Sequence, residues 1–139
     1  LEFRRVLFRS HVKVRHSFGR PLAKYQGVSF SIVEHYTKLE LIKWQAYRGL
    51  WLRDQGIPHS KEASSVKWLG PKWSQEAIHD CILLNGHYAY TKEMPHEQRL
   101  RDVIGLEIGD GTAEANKMVI ANHIIGREFK TNERIGAAK

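Results

Sequence analysis

Apolar residues recur every three or four positions through most of the chain, and no stretch alternates in the way a half-buried strand would. Val28, Ile32, Tyr36, Leu39, Ile42, Ala46 and Leu50 fall on one helical stripe, with Glu34, Lys38 and Arg48 off it. This predicts a helix over about 22–55, stopped by Gly56 and Pro58. A short helix before it should end near His16, because Gly19 and Pro21 break the chain. Ser60 is a plausible N-cap for a third helix reaching Asn85, with Ala63 where a capping-box Glu would stand. Pro71 inside that helix predicts a kink near Leu69. A loop over 86–95, a short helix over 96–104 and a tight loop at Gly109-Asp110-Gly111 follow. The last helix should run from Thr112 or Ala113 to about Gly126, with Ala115, Met118, Val119, Ala121, Ile124 and Ile125 mostly to one side. Long helices joined by short loops predict an all-α fold, an antiparallel up-down four-helix bundle.

With 139 residues and 42% apolar content the chain is one domain with a real core. The opening LEFRRVLFRS fits none of the helical patterning, and Leu-Glu and Glu-Phe are dipeptides common at cloning joints. Residues 1–11 therefore read as a non-native or divergent leader, 12–129 as the bundle, and 130–139 as a polar tail. The formal charge of +7 arises partly from three arginines in the leader. The rest is spread thinly, without a Lys/Arg block interleaved with aromatics, so no nucleic-acid partner is expected. Cys81 is the only cysteine and sits in an apolar helical run, which makes it a buried structural thiol. The eight histidines show no metal-ligand spacing, so no metal site is expected. No apolar run approaches the ~18 residues of a membrane span. Trp44, Trp51, Trp68 and Trp73 lie at helical spacings and read as core or interface residues.

Two places could carry chemistry. In Arg15-His-Ser-Phe-Gly-Arg-Pro-Leu22, followed by Tyr25-Gln26, a cation and a hydroxyl stand two residues apart just before a long helix. Arg15 and Ser17 can face an anion there, where free backbone N–H groups add to the attraction; the plainer alternative is a solvated corner. Asp110, between two glycines and ahead of Thr112 and a helix, is either a cap or a carboxylate available for proton transfer.

Taken together, Arg-x-x-Phe-Gly-x-Pro-x-x-x-Tyr-Gln at 15–26, Arg101-Asp102 and Gly109-Asp-Gly-Thr112 occur in an order and at separations that resemble the C-terminal helical domain of the acyl-CoA dehydrogenases. The resemblance runs from about Val12 to Phe129 and implies a fragment of a larger flavoenzyme. It implies FAD as cofactor, an acyl-CoA substrate, an electron-transfer flavoprotein as electron acceptor, and a homodimer or homotetramer. It implies a cytoplasmic location in a bacterium or the mitochondrial matrix in a eukaryote. Arg15 and Ser17 match positions that hold the flavin pyrophosphate, often of a neighbouring subunit. Gln26, Gly86 and Thr112 match further flavin contacts, and Gly111 lies against the substrate. Asp110 stands where many members carry a glutamate base in a Glu-Gly-Thr motif, and some relatives take the base from an upstream helix instead. Arg101-Asp102 reads as an ion pair fixing the short helix before the Asp110 loop.

The segment Leu83-Leu-Asn-Gly-His-Tyr-Ala-Tyr90 departs from the family's Gln-x-x-Gly-Gly-x-Gly-aromatic: only Gly86 and Tyr90 fit, while Leu83, His87 and Ala89 replace the Gln and two glycines. Two rival readings follow. One is a non-catalytic helical assembly or scaffold domain; the other is a flavin-dependent monooxygenase relative.

Overall fold

The structure, a computed structural model, describes residues 10–129. The tail expected over 130–139 and most of the leader lie outside that range. Residues 10–14 are helical (α1). A two-residue antiparallel ribbon follows, β1 His16–Ser17 paired with β2 Arg20–Pro21, and a 3-10 turn at Leu22–Lys24 leads into α2, Gln26–Asp54. Then come α3 Ser60–Asn85, α4 His87–Tyr90, α5 His96–Ile108 and α6 Ala113–Ile124. The fold is the all-α helical bundle expected, and α3 is its hub, packing against α2, α5 and α6.

Several boundaries differ from the sequence reading. The first helix ends at residue 14, and the segment after it is a strand pair, although no strand pattern marks it. Phe18 and Gly19 both adopt left-handed backbone angles (φ 47° and 79°), and this two-residue turn closes the ribbon. His59, not Ser60, is the N-cap of α3, and it makes no side-chain cap bond. Helix α3 does continue to Asn85 with the buried Pro71 inside it, as expected. Part of the expected 86–95 loop is the helical turn α4, and α5 continues four residues beyond Ile104.

Helices α2 and α3 run antiparallel, as paired contacts along them show. Near one end, Asp80 accepts hydrogen bonds from Ser31 (3.0 Å) and from His35 Nε2 (2.7 Å). One turn on, Lys38 Nζ reaches Glu76 at 2.7 Å. Farther along, a Cβ on Gly70 would meet Ile42, and one on Gly49 would stand 3.4 Å from the Cβ of Glu62. Burial by itself raises the Asp80 carboxyl, but the hydrogen bonds from His35 and Ser31 and the charge of His35 outweigh it, leaving Asp80 below its ordinary value. Glu62 is buried beside Arg48 Nε (3.4 Å) and Lys61 Nζ (3.8 Å).

These contacts decide which face of α2 is covered. His35, Gly49 and Leu52 are buried, while Tyr36 and Leu50, expected on the covered stripe, are about half exposed. A second row, Phe30, Val33, Leu41, Trp44, Tyr47 and Trp51, is at least half exposed. A helix apolar on more than one face is built to be covered on more than one face. Cys81 is buried, as expected, and burial pushes its thiol up to about 11.

His96, the first residue of α5, is 2% exposed, and its Nε2 has no hydrogen-bond partner among the described residues. Burial, reinforced by Arg99, holds its pKa below the ordinary 6.5. The unfolded chain therefore takes up a proton near pH 6.5 that the folded chain refuses, so His96 costs stability as pH falls below that value. His96→Leu is expected to flatten the drop in melting temperature between pH 7 and 5. It should also raise stability at pH 7 by about 1 kcal/mol, at the low end of the cost of a buried unsatisfied polar group. Parallel pH profiles for the two proteins would count against this.

Candidate functional site

The ribbon after α1 presents Arg15 and Ser17. The carbonyl of Arg15 accepts from Leu22 N–H at 2.8 Å, which closes the base of the ribbon. Tyr25 braces it from the other side: its hydroxyl donates to the Ser17 carbonyl at 2.6 Å, and Arg20 lies over its ring, 4.0 Å from the centroid. Tyr25 is therefore a half-buried buttress of the ribbon, with a polar task that helical spacing alone did not mark. Phe18 at the tip is 97% exposed, and Arg15 is exposed beside it. Gln26 opens α2, next to Tyr25, its N-cap residue.

Gly86 ends α3 with φ 72°, and a Cβ there would meet nothing within 4 Å. The position needs glycine for its backbone angle, not for lack of room. The substituted residues around it divide. Ala89 is fully buried, Leu83 points out at 65% exposure, and His87 is exposed.

The turn between α5 and α6 carries Asp110, Gly111 and Thr112. Asp110 (φ 56°) and Gly111 (φ 98°) are consecutive left-handed residues. Thr112 is the N-cap of α6, its hydroxyl accepting from Ala115 N–H at 3.4 Å. Capping is thus the work of Thr112 and not of Asp110, whose exposed carboxylate enters no hydrogen bond or ion pair among the described residues. Lys67 of α3 donates to the Leu106 carbonyl at 2.6 Å, tying down the end of α5 just before the turn. Asn116, which the sequence reading passed over, donates from Nδ2 to the carbonyls of Gly111 (3.1 Å) and Thr112 (2.9 Å). The only signal for it in the sequence was an amide four residues into a helix whose cap lies at the same turn.

The expected Arg101–Asp102 pair is not formed. Neighbouring residues on a helix point about 100° apart, and Arg101 instead meets Glu97 one turn back at 3.5 Å. The three groups of site residues, on the ribbon, at Gly86 and at the Asp110 turn, are not joined to one another by a hydrogen bond or ion pair among the described residues. A charged groove lined by Lys38, Trp68, Glu76, Asp80 and Lys117 includes none of them. Among the described residues no three His, Cys, Asp or Glu side chains gather as a metal site, and no helix is long and apolar enough to cross a membrane.

Comparison with known proteins agrees with this arrangement. The family model described as acyl-CoA dehydrogenase, C-terminal domain, matches residues 3–125. A probable acyl-CoA dehydrogenase of Bacillus subtilis, YngJ, is 30% identical over 116 residues, which is 84% of this chain and 30% of that protein. A 3-(aryl)acrylate reductase of Clostridium sporogenes is 33% identical over 115 residues, 83% of this chain and 30% of its own. Among solved structures, the FAD complex of PigA superposes with a TM-score of 0.83 at 27% identity, covering 88% of this chain and 33% of that one. The chain thus spans about a third of the length of these relatives. A helical bundle with the Asp110 turn and the Arg15 ribbon in the expected order, matched over nearly its whole length, belongs to the acyl-CoA dehydrogenase family as its C-terminal domain.

Proposed function

We propose that the full-length protein is an FAD-dependent acyl-CoA dehydrogenase that introduces an α,β double bond into an acyl-CoA thioester, with Asp110 as the base. The observation that carries this reading is the turn itself: a carboxylate held on two left-handed residues and released from capping by Thr112. A carboxylate used as a base needs a free oxygen directed at a carbon-bound proton, and Asp110 has no competing partner among the described residues. In this role Asp110 takes the proton from the carbon next to the thioester carbonyl, and Gly111 gives the substrate close access to the backbone. Bound FAD supplies the acceptor for the hydride from the neighbouring carbon.

The residues present fit such a cofactor. Arg15 is an exposed guanidinium on a braced ribbon, suited to a pyrophosphate, with Ser17 two residues on and Gln26 at the start of α2. The open surround of Gly86 leaves the backbone approachable, and the Thr112 hydroxyl, which caps α6 and lies against the Glu114 carboxylate, stands at the same turn as Asp110. Electrons then pass to an electron-transfer flavoprotein. The second apolar row on α2 favours a homodimer or homotetramer, because Phe30, Trp44 and Trp51 are otherwise left in water.

One experiment addresses these points together. The full-length protein should purify yellow, elute as a dimer or tetramer, and bleach when a saturated acyl-CoA is added anaerobically. A colourless protein would favour the scaffold reading. A yellow one that bleaches only with another reductant would favour the monooxygenase reading.

A further inference from the structure

We infer that Asn116 is a positioning residue that locks the turn carrying Asp110; the inference rests on the reading of Asp110 as the base. Two consecutive left-handed residues are unfavourable when the first is not glycine, and such a turn persists only where its surroundings fix it. Asn116 provides that fixation. Its amide has two N–H groups, and Nδ2 reaches two carbonyls, those of Gly111 at 3.1 Å and Thr112 at 2.9 Å. Its backbone N–H also donates to the Thr112 carbonyl, at 3.1 Å, so the residue grips the turn from both main chain and side chain. The fit is close, since a Cβ on Gly111 would stand 3.4 Å from Nδ2. On the other flank, Gly109 N–H donates to the Gly105 carbonyl at 2.9 Å, and Lys67 holds the Leu106 carbonyl. Both ends of the turn are therefore anchored, while the Asp110 carboxylate has no partner among the described residues. A base must be placed to within a fraction of an ångström, and an error of about 1 Å costs on the order of 10²-fold in rate.

The test uses the full-length flavoprotein with Asn116→Leu, which keeps the volume and removes both donors, and Asn116→Ala, which favours the helix. Each is expected to slow anaerobic flavin reduction by saturated straight-chain acyl-CoA thioesters at least ~10-fold. FAD content and thioester affinity should stay unchanged, which a merely structural lesion would not allow. In an Asp110→Asn background, Asn116→Leu should cost nothing further, because it acts through Asp110. Exchange of the backbone amides at 115 and 116, which donate to the Thr112 hydroxyl and carbonyl, should quicken by ~10-fold while those in the rest of α6 hold. Wild-type reduction rates in both variants, an equal slowing on top of Asp110→Asn, or unchanged exchange at the turn would each overturn the inference. If Asp110→Asn itself reduces flavin at the wild-type rate, the base reading fails, and the exchange measurement still decides whether Asn116 holds the turn.

Discussion

Asp110→Asn in the full-length protein is expected to slow flavin reduction by acyl-CoA by at least ~100-fold while leaving FAD and thioester bound. Asn has nearly the same shape and tolerates the left-handed backbone that position 110 requires (φ 56°), so the turn should persist. Thr112 caps α6 without help from position 110, so helix stability should not change either. What disappears is the proton acceptor. A positioned general base contributes about 10²–10⁴-fold, and loss of the sole base costs at least that much. Stopped-flow bleaching without oxygen reads the step directly. Bleaching at the wild-type rate would place the base elsewhere. Asp110→Glu should retain activity, with a modest stability cost because Glu adopts a left-handed backbone less readily than Asp.

Arg15→Ala should weaken FAD retention and leave the bundle intact. The guanidinium is exposed, and no ion pair in the described residues engages it, so little packing is lost with it. Charge-assisted hydrogen bonds to a phosphate contribute about 1.5–3 kcal/mol each, which corresponds to roughly 10- to 150-fold in affinity. Flavin content after gel filtration and the apo melting temperature together separate the alternatives. Unchanged flavin content with a sharply lower apo melting temperature would make Arg15 a structural residue of the ribbon.

The sequence was most legible where the signal is local and repeated. Three- and four-residue spacing located α2, α3 and α6, and Gly56 marked the end of α2 because its φ of 67° is one that other residues adopt at a cost. The ribbon at 16–21 escaped notice because two residues are too few for a period, and its turn uses Phe18 where a hairpin turn usually has Asn or Gly. Whether Asp110 caps α6 or leaves that to Thr112 was open for a related reason. Both side chains can accept from the first turn of a helix, and which one does so depends on the backbone angle at 110, which nothing in the sequence reports.

By itself, then, the order of residues determined an all-α chain, its long helices and their stops, and three segments placed along it like those of a flavoenzyme domain. Those features depend on backbone preference and spacing, which each short window of the chain carries within itself. Only the tertiary structure decided that the polar contacts of Asp80 and Glu76 turn one face of α2 inward and leave Tyr36, Trp44 and Leu50 out. It alone tied the end of α5 to Lys67, 39 residues away along the chain. A hydrogen bond between residues far apart in sequence, or a left-handed angle held by a neighbouring helix, has no periodicity to announce it. It arises when packing has already brought the donor and the acceptor together.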